Sequence, residues 1–366
     1  MQRVYNFSSG PSMLPAEILE RASKDFLDYN GSGMSFAEIG RGSAESAEIY
    51  ASAENLLREL MNIPQNYKVF FMGGGADAQH SAIPLNLLSD HKCADYIITG
   101  QSSKNASIEA KKFGDVAIAA SSAGASPAFS TVPKTERKHF RPDADYVYIC
   151  YNSMVYGTKY QYVPDTGNIP LVADMSSFLL SEPVDVSKFA LIYANAECGL
   201  GISGLTIVIV RDDLVSGARA DTPKTLNYKL LGDRSSDITP APVWSVYMAS
   251  LIFEWIKSFG GLEEMKRRNE RKASFIYDYL DSQTYYTAPV DKQCRSMMNV
   301  VFVTGDASLD EKFAKEAGEV GLANLSGHNS IGGMCASIYN SMPVEGVELL
   351  VKFMKRFAQE NPKIDA

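Results

Sequence analysis

Residues 189–210 read FALIYANAECGLGISGLTIVIV, in which two apolar runs flank a connector that contains three glycines. Both runs are rich in β-branched and aromatic residues and predict two buried strands. The glycines allow the backbone of the connector to come close to a ligand. Glu197 and Cys198 lie at the centre of the connector, which we therefore interpret as the turn that carries the active site.

Upstream of this stretch, predicted strands alternate with predicted helices. Residues 69–72 form a short apolar strand, residues 73–75 are three glycines, and a helical pattern begins at Ala76. A strand followed by glycines and a helix start is a common way to hold an anion on backbone N–H groups. The alternation predicts a largely parallel α/β sheet with helices on both faces.

Ligands bind such sheets at the carboxyl ends of the strands. Several polar or glycine positions directly follow predicted strands, and they are expected to converge on one site. These positions are residues 73–75, Asn152, Asp174, Glu197 and Cys198.

The length of 366 residues exceeds what one compact core usually holds and predicts a large domain with a smaller companion. We expect an irregular arm over residues 1–14, a large domain over 15–257 and a small C-terminal α+β domain over 258–366.

Composition excludes several classes of function. The formal net charge of −8 argues against a nucleic-acid-binding protein, which would show a basic face. No apolar run reaches the roughly 18 residues of a membrane span. The five cysteines are odd in number and lack CxxC spacing, which fits free thiols in a reducing compartment. We therefore expect a cytoplasmic protein with no metal site and no nucleic-acid or membrane partner.

Segments spread along the whole chain resemble the phosphoserine aminotransferases, which are class V aminotransferases with the pyridoxal phosphate (PLP) fold type I. The segments are YNFSSGPSMLP (5–15), NIPQNYKVFFMGGG (62–75), EAKKF (109–113), DMSSFLLSEPVDVSKFALIYA (174–194), GLTIVIVRDDL (204–214) and GGMCASIYNSMPVEGV (332–347). The resemblance implies a homodimer with a large PLP domain, built on a mostly parallel sheet, and a smaller C-terminal domain.

In that family, a lysine of the connector forms a Schiff base with PLP and moves the substrate proton. The resemblance places Cys198 at this lysine position and Glu197 at the neighbouring glutamine. A thiol cannot form an imine with an aldehyde, so covalent attachment of PLP and the general-base role are both expected to be lost.

The other cofactor positions implied by the resemblance also differ from the family pattern. Ser102 replaces the tryptophan that stacks on the ring, and Met154 replaces a nearby threonine. Asp77 and Glu197 place two carboxylates at the phosphate, and Pro240 brings no N–H donor. Asp174, the family's partner of the pyridine nitrogen, survives. The vestigial cofactor positions are Gly75, Ala76, Asp77, Ser102, Asn152, Met154, Asp174, Glu197, Cys198, Thr239 and Pro240.

The substrate positions are changed as well. The arginine that clamps the substrate carboxylate in the family corresponds to Cys335, which removes a bidentate, permanently charged partner. The family's two His-Arg pairs correspond to Arg41 with its neighbour and to His328 with Asn329.

We therefore expect a phosphoserine aminotransferase-like paralogue that is inactive as a PLP transaminase and uses no cofactor. It would act as a binding, regulatory or scaffold homologue, with an unknown small molecule or protein as partner. One alternative is a PLP-independent enzyme in which Cys198 is the nucleophile and His80 or His328 the base, although we favour the interpretation of Cys198 as a small, half-buried filler. A second alternative is residual transamination of phosphoserine with 2-oxoglutarate, with Lys104 standing in for the lysine or PLP held non-covalently.

The three carboxylates of Asp77, Asp174 and Glu197 raise one further possibility, an acidic pocket for a cation. Drift in an unused phosphate site, next to an inherited Asp174, explains them without a metal, and we favour that interpretation.

Overall fold

The computed structural model describes residues 3–88, 91–233, 241–329 and 331–363. Its strands are β1 (Tyr5–Asn6), β2 (Tyr67–Gly73), β3 (Cys93–Ile98), β4 (Asp115–Ser121), β5 (Tyr146–Cys150), β6 (Asn152–Ser153), β7 (Thr158–Lys159), β8 (Leu171–Asp174), β9 (Leu191–Asn195), β10 (Leu205–Arg211), β11 (Asn299–Phe302), β12 (Leu322–Ala323) and β13 (Met334–Ser337). Its α-helices are α1 (Ala16–Leu27), α2 (Ala44–Met61), α3 (Ala76–Leu87), α4 (Gln101–Ala110), α5 (Tyr228–Gly232), α6 (Val243–Ser258), α7 (Gly261–Ser282), α8 (Ala307–Glu319) and α9 (Val344–Glu360).

Seven strands form the main sheet, in the order β2-β10-β9-β8-β5-β3-β4. Strand β10 is antiparallel to both β2 and β9, whereas the pairs from β9 through to β4 are parallel. The predicted α/β fold with a mostly parallel sheet is therefore confirmed. Because only β10 is reversed, the other six strands end at the same edge of the sheet, where the start of β10 joins them.

Helices cover both faces of this sheet. Along β9, Leu191 and Tyr193 belong to a core cluster with residues of α3 and α4, while Ile192 and Ala194 belong to a cluster with residues of α2 and α6. Successive side chains of a strand point to opposite faces, so both sets are buried. This burial on two sides explains why the strands of the opening stretch are apolar throughout rather than alternating.

The C-terminal part has a core of its own, to which β11, β13, α7, α8 and α9 contribute. The N-terminal arm, expected to be irregular, joins this core. Strand β1 pairs in parallel with β12, and Phe7 is 1% exposed within the C-terminal cluster. The domain boundaries proposed from the sequence remain a prediction.

Between β10 and α6, residues Tyr228–Gly232 form the short helix α5. Tyr228 at its start is fully buried and donates a hydrogen bond to Gln79 Oε1 over 2.7 Å. None of the described helices is long and apolar enough to cross a membrane.

Candidate functional site

A cavity of about 590 Å³ lies at the carboxyl edge of the main sheet, between the sheet and the C-terminal core. The residues singled out from the sequence that line it are Gly75, Ala76, Asp77, Ser102, Asn152, Met154, Asp174, Glu197, Cys198, His328 and Cys335. Arg41 and Asn329 are exposed and do not line it, and Thr239 and Pro240 lie outside the described residues. The topology thus brings together side chains from widely separated strand ends.

The turn between β9 and β10 positions the two residues at the centre of the opening stretch. Gly199 has φ +100°, and a Cβ at this position would lie 3.0 Å from the Cβ of Tyr339. Only glycine adopts this conformation without strain and leaves room for the tyrosine. The tight turn places Glu197 and Cys198 at the floor of the cavity.

Asp174, 3% exposed, is the buried carboxylate of the site. Its Oδ1 accepts hydrogen bonds from the backbone N–H and the Oγ of Ser176, at 2.9 and 2.6 Å. Its Oδ2 accepts a hydrogen bond from Ser102 Oγ at 3.0 Å. These contacts satisfy the charge and fix the carboxylate at the end of β8. The hydrogen bonds from Ser176 could not be predicted from the sequence, in which Ser176 is notable only for following a strand.

Within the described chain, two neutral side chains hold the carboxylate of Glu197. Asn195 Nδ2 donates to its Oε1 at 2.9 Å, and Ser203 Oγ donates to its Oε2 at 2.6 Å. The backbone N–H of Ser12 donates to the carbonyl of Glu197 at 3.0 Å, which ties the N-terminal arm to this turn.

Helix α3 begins at the same end of the cavity, and its N-cap residue Gly75 offers no side-chain cap. Such a helix start attracts anions through its free N–H groups. Asp77 in the first turn brings a competing carboxylate, which is almost fully exposed.

His80 Nδ1 lies 3.6 Å from Asp77 Oδ1. Burial lowers the pKa of His80, and this effect outweighs the opposing charges of Asp174 and Asp77. His80 does not line the cavity, which weakens its assignment as a base for Cys198.

Cys198 is 5% exposed. Burial raises the pKa of its thiol to about 12, and the negative charges of Glu197 and Asp174 act in the same direction. A thiol with this pKa stays protonated at neutral pH and is a poor nucleophile. The geometry therefore favours the interpretation of Cys198 as a packed filler.

Asn152 begins a buried polar network that sequence patterns did not reveal. Its Nδ2 donates to Ser177 Oγ at 2.8 Å and to Asn299 Oδ1 at 2.9 Å. Asn299 Nδ2 in turn donates to Ser337 Oγ at 2.9 Å and to the Tyr339 hydroxyl at 3.1 Å. Asn152 Oδ1 is buried and has no hydrogen-bond partner among the described residues. The network joins β6 to β11 and β13.

In the described lining, the wall opposite the sheet carries His328 but no carboxylate, lysine or arginine. It includes Asn324, Ser326, Cys335 and Ser337. Burial raises the pKa of Cys335 to about 11, so this thiol is neutral as well. Among the described residues that line the cavity, none is a lysine or an arginine.

Lys104, the stand-in amine considered from the sequence, is exposed on α4 and does not line the cavity. The described part of the chain also holds no group of three or more His, Cys, Asp or Glu side chains placed to bind a metal ion.

Comparison with known proteins extends over nearly the whole chain. Residues 4–350 match the family model for class V aminotransferases. The chain is 47% identical over 361 residues to a phosphoserine aminotransferase of Bacillus cereus, and the match covers 99% of this chain and 100% of the relative.

Two solved structures agree with this result. Phosphoserine aminotransferase from Bacillus circulans subsp. alkalophilus superposes with a TM-score of 0.94 at 39% identity, covering 98% of this chain and 99% of the other. PLP-bound phosphoserine aminotransferase from Trichomonas vaginalis gives 0.89 at 35% identity, covering 96% and 100%.

The expectation that no cofactor is used is wrong in the light of these comparisons, which point to PLP as the cofactor. The cavity fits PLP as a held group. The Asp174 carboxylate suits the ring nitrogen, and the uncapped start of α3 suits a phosphate. The described lining has no amine to which PLP could be attached.

Proposed function

The chain belongs to the class V aminotransferases and is phosphoserine aminotransferase-like over its full length, and from this premise we propose that it binds PLP without a covalent bond and does not transaminate phosphoserine. It then acts as a binding or regulatory homologue of the active enzymes. The observation that carries the proposal is that no lysine is among the described residues lining the cavity, while the Cys198 thiol lies on its floor.

Two groups of the chain would hold the cofactor. Asp174, fixed by Ser102 and Ser176, would pair with the protonated ring nitrogen. The first-turn N–H groups of α3 would hold the phosphate, against the charges of Asp77 and Glu197. Two like charges 4 Å apart repel by about 4 kcal/mol at an effective dielectric constant of 20, so we expect PLP to bind more weakly than in a site with neutral or basic neighbours.

PLP, when bound, supplies an electrophilic aldehyde and a ring that withdraws electrons. The described lining of the cavity supplies no amine that could react with this aldehyde. Cys198 holds its proton, because burial keeps the thiol pKa at about 12, and it therefore neither attacks a carbonyl nor accepts a proton at neutral pH. The same property argues against a separate enzymatic role for Cys198 as nucleophile.

We also propose that the protein is a homodimer in the cytoplasm. The apolar side chains of Leu19, Phe26 and Leu27 on α1, and of Met34 just beyond it, are exposed on one chain and suit an interface. Arg41, which does not line the cavity of its own chain, lies in the same N-terminal region.

A titration with PLP tests the proposal. We expect the wild-type protein to change the visible absorption of PLP but to retain no PLP after borohydride reduction and denaturation. Cys198→Lys places an amine on the cavity floor, so reduction of this variant should leave PLP covalently attached at residue 198, as read by peptide mass spectrometry.

Lys104→Gln is the matched control, because it removes the only lysine considered as a substitute. It should behave as the wild type. A reducible adduct on the wild-type protein, or phosphoserine-dependent transamination of 2-oxoglutarate by it, would overturn the proposal.

A further inference from the structure

The charge of the cavity is one-sided. Asp77, Asp174 and Glu197 contribute three carboxylates, and the exposed imidazole of His328 is the only basic side chain in the described lining. A permanently charged guanidinium or ammonium, the usual partner of a carboxylate or phosphate ligand, is not available from the described lining. The described lining thus offers an anionic ligand no permanently charged partner.

The buried side-chain amide of Asn152 favours a ligand that donates a hydrogen bond. Both of its N–H bonds are used within the protein, by Ser177 and Asn299, while its Oδ1 has no partner among the described residues. Asn152 is 3% exposed and lines the cavity. A buried acceptor without a partner is costly, so a ligand that brings an N–H or O–H donor gains affinity here.

The third feature is the wall of the cavity opposite the sheet. Cys335 lies on β13, with its thiol 3.8 Å from the carbonyl oxygen of Met154 and 3.9 Å from Ser337 Oγ. Ser337 is itself held by Asn299. This wall offers small, neutral, hydrogen-bonding groups that are fixed by the same network as Asn152.

We infer that the part of the cavity between Asn152 and Cys335 binds a small amine or amino alcohol without a carboxylate or phosphate group. This inference rests on the proposed function, because it takes the ring end of the cavity, at Asp174, as the place of PLP. An ammonium group is attracted by the carboxylates of the floor, and a hydroxyl or N–H group satisfies Asn152 Oδ1. Phosphoserine, with both anionic groups, is the wrong ligand for this site.

A series of three probes isolates the effect of each anionic group. Serinol, L-serine and L-phosphoserine share one carbon skeleton, and each step of the series adds one anionic group. In calorimetric titrations of the full-length protein as purified, we expect affinity to fall at least tenfold at each step. The same ligands titrated into PLP alone serve as blanks. Equal or tighter binding of phosphoserine, or no detectable binding of serinol at millimolar concentration, would overturn the inference.

Cys335→Arg provides a second test, because it adds a guanidinium to the neutral wall. The variant should bind phosphoserine at least tenfold more tightly than the wild type does. Leu349→Arg is the matched control, since Leu349 is 37% exposed on α9 and does not line the cavity. If both variants gain equally, the charge of the wall is not what selects the ligand, and the inference is wrong.

The two proposals fail in different ways. A reducible PLP adduct on the wild-type protein refutes non-covalent PLP binding while leaving the order of the three probes intact. A reversed order of the probes, with no adduct, refutes the ligand class alone.

Discussion

At the scale of single residues, the carboxylate of Glu197 is held in the pocket by hydrogen bonds from neighbouring residues of the described chain. Its two carboxylate oxygens accept hydrogen bonds from Asn195 and Ser203, and its backbone carbonyl accepts one from Ser12. These hydrogen bonds hold the Glu197 carboxylate in place in the pocket, next to the helix start that would hold a phosphate.

Neutralising this residue should improve the binding of PLP. Glu197→Gln keeps the shape of the side chain and removes the charge, and we expect PLP to bind about tenfold more tightly, which corresponds to about 1.4 kcal/mol. The dissociation constant is measured from the change in PLP absorption. Glu345→Gln, an exposed change in the first turn of α9, should leave the constant unaltered. Unchanged or weaker binding by Glu197→Gln would show that Glu197 does not oppose the phosphate.

At the scale of elements, the pattern of apolar residues in the sequence was sufficient to predict the strands of the sheet. It was not sufficient to predict the side-chain contacts of the site. The runs around Glu197 and Cys198 became β9 and β10, because apolar segments bounded by glycines have few alternatives to buried strands. The positions after strand ends converge because the carboxyl ends of parallel strands lie at one edge of the sheet.

The partners of Asn152 could not be predicted from the sequence, because Asn299 and Ser337 contact it only through the packing of distant segments. Arg41 does not line the cavity of its own chain, although the resemblance matched it to a substrate position.

Two pairs of buried tyrosines on the main sheet offer a test of such packing. The hydroxyls of Tyr148 and Tyr193 are 2.7 Å apart, and those of Tyr96 and Tyr146 are 2.8 Å apart. Tyr148→Phe should lower the free energy of unfolding by about 1–3 kcal/mol, because it leaves the Tyr193 hydroxyl buried without its partner. Adding Tyr193→Phe should recover most of this loss, as read from urea denaturation at pH 7.

The pair of Tyr148 and Tyr193 should also make the free energy of unfolding depend on pH. Burial raises the pKa of Tyr148 and Tyr193, so their protonated forms stabilise the folded state. This contribution is complete below the unfolded-state pKa of about 10 and is lost as the pH rises through the folded-state pKa. Above about pH 10 the double variant should therefore lose less stability than the wild type. Equal losses in both proteins would contradict this.

At the scale of the whole molecule, two cores are joined by buried polar contacts rather than by apolar packing alone. Lys272 on α7 is 1% exposed, and its Nζ donates to the carbonyls of Ile338 and Tyr339 at 2.9 and 2.6 Å. Tyr339 packs beside Gly199 in the cavity floor. Helix α7 is thereby tied to the turn that carries Cys198, so the stability of the C-terminal core and the shape of the cavity are coupled.

Lys272→Met should lower the free energy of unfolding by about 2–4 kcal/mol, because two buried carbonyls lose their donor. Lys266→Met, a change on the exposed side of the same helix, should stay within about 0.5 kcal/mol of the wild type.

Burial lowers the pKa of Lys272, with the charge of Arg268 as a second cause. A group with a depressed folded-state pKa contributes most above its unfolded pKa of about 10.4. The difference between wild type and Lys272→Met should therefore grow as the pH rises toward that value, and a constant difference would refute the assignment.

The N-terminal arm has a consequence for biosynthesis. Strand β1 pairs with β12, and Phe7 fills a core built from residues near the other end of the chain. Translation delivers this arm first, yet its docking surface exists only after residues more than 300 positions later have left the ribosome. Ser9 and the arm's contact with Glu197 therefore complete the cavity last. A nascent chain would therefore form the main sheet, whose last strand is β10, before the C-terminal core and the arm complete the cavity.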